Sequence, residues 1–396
     1  MRILMVLDQD FPPDVRVENE ALSLIAAGHE VVLWSIAPDD RPVRESYKGI
    51  TIVRSRLHKE IRNKMRGLAG SFPFYKWYLS RGIAKLHREF SFGAIHVHDL
   101  YLVGGGLTAG KKLGLPMVAD LHENYVHALK NYAWSTTPPG KWLVSIPRWH
   151  KLEKKWLAEA RSIVVVIEEA RERVLGLDVP EEKLAVVPNT IKIDEFSKYP
   201  LQTIDYGDFA RDKNIFTYTG GFDVHRGLEC LLQGFAAFIA KHPQNCLVLV
   251  GAGRTEGSLK ELSSSLGIDH AVRFEGWQPQ EKIRSYIAAS DVCLVPHNRT
   301  EHTDATIPHK LFHYMFCGKP VIVSDCKPLK RIVSGTDAGF VFEAGNPANL
   351  EIVMEAMLRQ KADWSTIGKR GSATVAQRFN WDATVQPLLD LYQNLD

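Results

Sequence analysis

Short apolar runs (RILMVLD, EVVLWSI, AIHVHD, PMVADLH, SIVVVIE and LAVVPN) alternate with longer helix-patterned stretches through the first half of the chain. Runs this short and this rich in Val and Ile suit parallel strands, because each strand must return through a crossover helix and both faces of the sheet become covered. The same rhythm restarts with NIFTYTG, CLVLVGAG, AVRFEGW, DVCLVPH, PVIVSD and GFVFEAG. A chain of 396 residues, 45% of them hydrophobic, exceeds the roughly 250–300 residues that one core usually holds. The expected fold class is therefore α/β, with two doubly wound, Rossmann-like domains.

The stretch SKYPLQTIDYGDFARDK mixes Pro, Gly and charge without periodicity, as a linker does. The boundaries predicted are residues 1–195 for the first domain, 196–213 for the linker and 214–378 for the second domain. A helical pattern in WDATVQPLLDLYQNL, about residues 379–396, is expected to cross back to the first domain. Ligands of such sheets collect beyond the carboxyl ends of the strands, so the loops there are the ones to search.

Bulk properties exclude several classes. A formal net charge of +3 gives no reason to expect a nucleic-acid partner. MRILMVLD enters a strand directly, with no leader pattern, and no segment approaches about 20 apolar residues, so a cytoplasmic location without a membrane span is expected. Cys230, Cys246, Cys293, Cys317 and Cys326 lack metal-site or disulfide spacing and read as reduced thiols.

Chemistry concentrates in two places in the second half. In PHNRTEHTDATIPHKLFHYM a strand ends, a polar loop follows, and a helix opens near Pro308. The first-turn amides of such a helix favour an anion, so Thr306, Ile307, Pro308, His309 and Lys310 are candidate donor-binding residues, with Lys310 adding a full charge. In FTYTGGFDVHRGL, Gly220 and Gly221 allow close backbone approach and Arg226 offers a planar fork suited to a diphosphate.

In order and spacing, TGG with HRG, LVLVGAG, VRFEGW, SDVCLVP, PHKLFHYM and GKPVIVSD resemble glycosyltransferase family 4 of the GT-B superfamily, as do DQDFPPDVRVENEALSLIAAGHEV, HVHD, ADLHENY and VVPNT earlier. The resemblance implies a GT-B fold whose two domains face across a cleft, with the donor held by the second domain and the acceptor mainly by the first. It implies transfer with retention at the anomeric carbon. Arg226 falls where the family uses a basic residue on the donor diphosphate, and His122 where members place a histidine near the transferred sugar. Gly251, Trp277, Gln278 and His313 are further donor-side candidates, and Arg16, His98, Asp99 and Glu123 acceptor-side ones. The sequence departs from many members at Ala305 and His313, where they carry glutamates, and at Gly221, where they carry a second arginine.

Other patterns point elsewhere. Asp8-Gln9-Asp10 matches a D-x-D metal signature, but it follows the first strand of a parallel sheet. His96, His98 and Asp99 resemble metallohydrolase ligands, yet further ligands at the usual spacing are missing. Gly251-Ala252-Gly253 reads as a tight turn. No metal and no cofactor are expected.

Between Arg54 and Arg88 ten Lys or Arg face one Glu, interleaved with Phe72, Phe74, Tyr75, Trp77 and Tyr78. Trp134, Trp142, Trp149 and Trp156 follow among Lys141, Arg148, Lys151, Lys154 and Lys155. This mixture suits peripheral binding to an anionic membrane surface on the inner face of the cytoplasmic membrane. The function expected is a metal-independent retaining glycosyltransferase, moving a sugar from a UDP- or GDP-sugar to a glycan or lipid-linked acceptor in bacterial polysaccharide or envelope assembly. The alternatives are a sugar-nucleotide epimerase or phosphorylase on the same fold, or a non-catalytic nucleotide- or glycan-binding partner.

Overall fold

The computed structural model describes the chain except residues 38–39, 130–134, 136–137, 139 and 396, so Trp134 lies outside the described residues. Two compact units emerge, one formed by Met1–Pro188 with Val385–Asp396 and the other by Asn189–Thr384.

The first unit is built on an eight-stranded sheet in the order β3-β4-β2-β1-β5-β6-β7-β8. Its strands are β1 (Arg2–Leu7), β2 (Glu30–Ala37), β3 (Arg44–Tyr47), β4 (Ile50–Arg56), β5 (Ala94–His98), β6 (Met117–Leu121), β7 (Ser162–Val165) and β8 (Leu184–Val186). All neighbours are parallel except β3, which lies antiparallel on β4. The second unit carries β9 (Asn214–Thr219), β10 (Asn245–Val250), β11 (Val272–Gly276), β12 (Val292–Val295), β13 (Val321–Ser324) and β14 (Gly339–Phe342) in the order β11-β10-β9-β12-β13-β14. Every pair in this sheet is parallel.

The helices that matter below are α1 (Val15–Ala26), α2 (Lys59–Leu68), α3 (Phe74–Phe90), α4 (Leu100–Leu113), α5 (Ile146–Glu159), α6 (Leu228–Lys241), α7 (His309–Phe316) and α8 (Gln386–Gln393). α1 begins where the Asp14 carboxylate accepts the Val17 amide, a local alternative to an unpaired first-turn N–H. α3 buries Tyr75, Leu79, Ile83 and Leu86, a helical stripe that packs on the core with Val97, Leu102 and Trp149. The inner strands β1, β2, β5, β6, β7, β9, β10, β12 and β13 are buried along almost their whole length, as their unbroken apolar runs require, whereas the edge strands β3, β8, β11 and β14 are partly exposed.

Two features differ from the sequence expectation. Residues 189–213 belong to the second unit instead of forming a linker: Phe196 stacks on His313 at 4.4 Å, Arg284 donates to the carbonyls of Ser197 (2.7 Å) and Tyr199 (2.8 Å), and Tyr206 is buried beside Val248 and Val250. An irregular strap anchored by single aromatic residues has no periodicity to betray it. The return to the first unit begins at Val385, while Trp381 still donates its amide to Ile191 (2.8 Å) within the second. α8 then buries Tyr392 completely in the first unit.

Candidate functional site

In each sheet the order of the parallel strands reverses once, between β1 and β5 in the first unit and between β9 and β12 in the second. Loops leaving such neighbours run in opposite directions and open a crevice, where ligands of doubly wound sheets bind. Both crevices are polar.

In the second unit, the loop after β9 and the loop after β12 enclose a cavity of about 380 Å³ lined by Gly220, Gly221, His225, Arg226, His297, His302, Thr303, Thr306, Ile307, Pro308, His309 and Lys310. Two glycines shape it. At Gly227, φ is +69° and a Cβ would fall 1.9 Å from the Pro296 carbonyl oxygen, so only glycine lets the two loops meet. At Gly220, φ is +129° and a Cβ would fall 2.5 Å from Lys310 Nζ. The lysine thus occupies space that any side chain at 220 would take.

No residue lining the cavity is acidic. The nearby carboxylate of Asp304 is engaged elsewhere, by Arg299 (3.1 Å) and the Lys327 amide (2.8 Å). Arg226 donates from Nη1 to His297 Nε2 at 3.0 Å, which fixes the imidazole as an acceptor. Burial, then Lys310 and Arg226, hold His297 well below the usual imidazole range, so it is neutral. Lys310 Nζ is buried with no hydrogen-bond partner among the described residues, and it sits over the Tyr218 ring, 3.7 Å from its centroid. Burial and then Arg226 push its ammonium well below the ordinary lysine range. A buried ammonium without an anion is unfavourable, and an anion entering the cavity would relieve it.

The first-unit crevice has opposite bookkeeping. Arg16, on the buried face of α1, lies 2.8 Å from both the Glu20 and the Asp120 carboxylates and donates to the Val187 carbonyl (2.7 Å). His98 and His122 converge on the other Asp120 oxygen at 3.1 Å and 2.8 Å. His96 meets the Tyr392 hydroxyl at 2.8 Å. Asp99 adopts φ +79°, uncommon for a residue with a Cβ; its amide donates to the Asp120 carbonyl (2.7 Å) and its carboxylate accepts from the Tyr101 hydroxyl (3.1 Å).

Burial lowers His98 to about 3 and keeps it neutral. Burial acts on His122 in the same direction, but Asp120 and Asp99 together outweigh it and raise His122 to about 9. Burial also raises Glu20, to about 8, against the pull of Arg16. Asp120 itself is held well below the carboxylate range, because Arg16 and His122 outweigh its burial. One atom from each of Glu20, His96, His98 and Asp120 lies within 4.8 Å of the others, a donor set of the kind a divalent metal takes. The guanidinium of Arg16 already engages both carboxylates of that set.

The structure brings Gly220, Gly221, Arg226, Thr306, Ile307, Pro308, His309 and Lys310 together around one cavity. Gly251, Trp277, Gln278 and His313 do not line it. Gly251 donates its amide to the Gly276 carbonyl (2.8 Å) in a turn behind Gly220. Trp277 is 73% exposed and Gln278 donates to the Glu275 carbonyl (2.9 Å), both beyond the edge strand β11. His313 faces Phe196. Arg16, His98, Asp99 and His122 share the first-unit crevice, whereas Glu123 lies in the following turn, its carbonyl accepting the Tyr125 amide (3.0 Å). Asp8 and Asp10 do not act as a pair: Asp8 is buried against Arg66 Nε (2.5 Å), and Asp10 is exposed.

Sequence reasoning missed Glu20, Asp120, His225, His297, His302 and Thr303. Two signals were available. Asp120 is a charge inside an apolar strand run, in register opposite His98, and Glu20 stands four residues after Arg16 on one helix face.

Two doubly wound units, each with a polar crevice at its topological switch point, define the GT-B type of fold. HepE from Anabaena, solved in complex with UDP, shares it with a TM-score of 0.71 at 15% identity, covering 100% of both chains. Residues 14–195 match Glycosyltransferase Family 4, and residues 205–373 match Glycosyl transferases group 1. The chain belongs to this family and is a glycosyltransferase. A glycosyltransferase of Methanocaldococcus jannaschii is 22% identical, over 99% of this chain and 98% of the relative. D-inositol 3-phosphate glycosyltransferase of Thermomonospora curvata is 25% identical, over 96% and 89%.

Proposed function

We propose that the enzyme transfers a hexose-type sugar from a UDP- or GDP-sugar to a glycan or lipid-linked acceptor, with retention and without a metal ion, in bacterial polysaccharide or envelope assembly. The observation that carries this reading is the buried Lys310 Nζ, which has no hydrogen-bond partner among the described residues, beside Arg226 in a cavity whose lining holds no carboxylate. Such a site favours a dianionic group whose charge grows during reaction, as a departing nucleoside diphosphate does. The bond from the anomeric carbon to the diphosphate oxygen breaks, and the acceptor hydroxyl oxygen bonds to that carbon on the same face. The acceptor proton passes to the departing phosphate oxygen, so no carboxylate base is needed. Arg226, Lys310 and the opening amides of α7 meet the diphosphate in the role a divalent cation plays in other transferases. His122, oriented by Asp120, is assigned to the transferred sugar, with Arg16, His98 and Asp99 behind it.

UDP in the HepE structure and the inositol phosphate in the name of the Thermomonospora relative support a uridine donor and a polyhydroxylated, phosphate-bearing acceptor. Epimerases need acid–base carboxylates around the donor sugar, and the acid-free lining favours transfer. Calorimetry of the protein with UDP and GDP, followed by nuclear magnetic resonance of the anomeric product, tests the proposal. Binding of neither nucleotide would leave the non-catalytic reading, and product of inverted configuration would remove retention.

A further inference from the structure

Surface cations of this protein are commonly paired, as in Lys111–Glu159 (2.8 Å), Lys154–Asp178 (2.5 Å), Lys241–Glu351 (2.6 Å) and Lys260–Glu256 (2.8 Å). One face of the first unit departs from that habit. On α2, α3 and residues 140–148, Lys59, Lys64, Arg81, Lys85, Lys141 and Arg148 are exposed, and among the described residues none has a carboxylate within ion-pair distance. The same segments also expose large apolar side chains: Trp142 is 77% exposed, Phe74 60%, Ile61 52% and Trp77 48%.

Aromatic residues among them are in contact. Phe72 stacks on Phe74 at 5.9 Å, Phe74 meets Trp77 edge-on at 6.1 Å, and Ser71 donates to the Leu143 carbonyl at 2.6 Å, which ties the Trp142 segment to the aromatic cluster. α3 already buries Tyr75, Leu79, Ile83 and Leu86 on its inner face, so its outer aromatic residues are surplus to the core. A groove of about 420 Å³ runs between Trp34, Phe74, Trp77 and Tyr78, with Arg81 and Lys85 at its edge. Contiguous exposed apolar side chains mark a contact surface, and unpaired cations around them select its charge.

We propose that this face docks on an anionic lipid surface. Indole and phenyl rings enter the headgroup layer while the six cations meet lipid phosphates, each such contact contributing through the surface potential of the bilayer. A nucleic-acid duplex or a sulfated glycan would satisfy the cations but offer no apolar layer for Trp142, Phe74 and Ile61, and a single strand could stack on the rings but not cover Ile61. The inference deepens the transferase reading, since it puts the enzyme where a lipid-linked acceptor lies, but it rests on different residues from the donor cavity.

The test is co-flotation of the full chain with phosphatidylcholine vesicles and with vesicles containing phosphatidylglycerol, at low and high salt. Expected is at least tenfold stronger partition onto the anionic vesicles, weakened by salt. The charge reversal Lys64→Glu/Arg81→Glu/Lys85→Glu and the truncation Phe74→Ser/Trp142→Ser should each lower that partition at least tenfold, with circular dichroism unchanged because all five side chains are exposed. Equal binding to neutral vesicles, no binding at all, unaffected variants, or displacement by an oligonucleotide at matched charge would each overturn the proposal. UDP calorimetry on the same preparations separates the two readings. Vesicle binding without UDP binding sinks the donor assignment alone, and UDP binding without vesicle binding sinks the docking face alone.

Discussion

The two crevices stand at the same topological point of two similar sheets, yet they solve the charge problem differently. Around β1 and β5, Arg16 and His122 are answered by Asp120 and Glu20 within the chain. Around β9 and β12, Arg226 finds only a neutral histidine and Lys310 only an aromatic ring. Topology thus determines where polar groups gather, and the local charge balance determines whether the gathering is neutralised from within or left with an excess of cationic groups.

The largest effect should come from disturbing the closed crevice. Asp120→Asn leaves Arg16 and His122 without their shared counter-charge, at a cost of about 3–5 kcal/mol in urea unfolding. A loss below about 1 kcal/mol would mean that the network is not a structural unit. In the open crevice the order reverses, and function suffers more than stability. Arg226→Ala should lower turnover about a hundredfold or more, or about 2.7–4 kcal/mol of barrier, with little change in unfolding. Lys310→Met should abolish UDP binding and yet raise the melting temperature of the ligand-free protein, because it removes a buried amino group that lacks an acceptor. A destabilised Lys310→Met variant would show that the cavity is not poised for an anion.

The comparison also separates in pH. His122 and Glu20 both hold protons more tightly folded than unfolded, so the folded state carries more protons than the unfolded one between about 4.5 and 8 for Glu20 and between about 6.5 and 9 for His122. The stability His122 contributes is fully present below its ordinary value of 6.5 and is lost as pH rises through about 9. The ionisation of Glu20, easy when unfolded and resisted when buried up to about 8, removes stability in the same direction. Unfolding measured across this window should show a fall on the order of 2 kcal/mol, much reduced in Asp120→Asn. The smallest effect expected is Tyr392→Phe, about 1 kcal/mol for the hydroxyl that meets His96, with UDP affinity unaltered.

Twelve of the fourteen strands were legible because a covered parallel strand reads as an unbroken apolar run, while the antiparallel pair β3 and β4, polar and partly exposed, was not; the loop-to-helix anion signals around Arg226 and Lys310 were legible because they are local. The first-unit cluster was not. Arg16 reads in sequence as a helix-opening residue that projects toward an acceptor or lies on the surface beside Glu18; its burial depends on Asp120, 104 residues away, and on the Val187 carbonyl. His96 and His98 lacked ligand-like neighbours at close spacing because Glu20 and Asp120 arrive from α1 and β6. His313 stands where many members of the family carry a glutamate, but the strap at 189–213, silent in periodicity, brings Phe196 over it. Trp277 and Gln278 follow an edge strand, and strand order is not written in the local pattern.

The hydroxyl of Tyr392 has a consequence for how the protein is made. Translation delivers residues 1–188 first and the whole of 189–384 next, and only then α8, which belongs to the earlier unit. The second unit can therefore finish folding on the ribosome while the first still lacks the side chain that closes over its buried histidines. Limited proteolysis of stalled nascent chains should find the older half of the polypeptide the later one to become resistant.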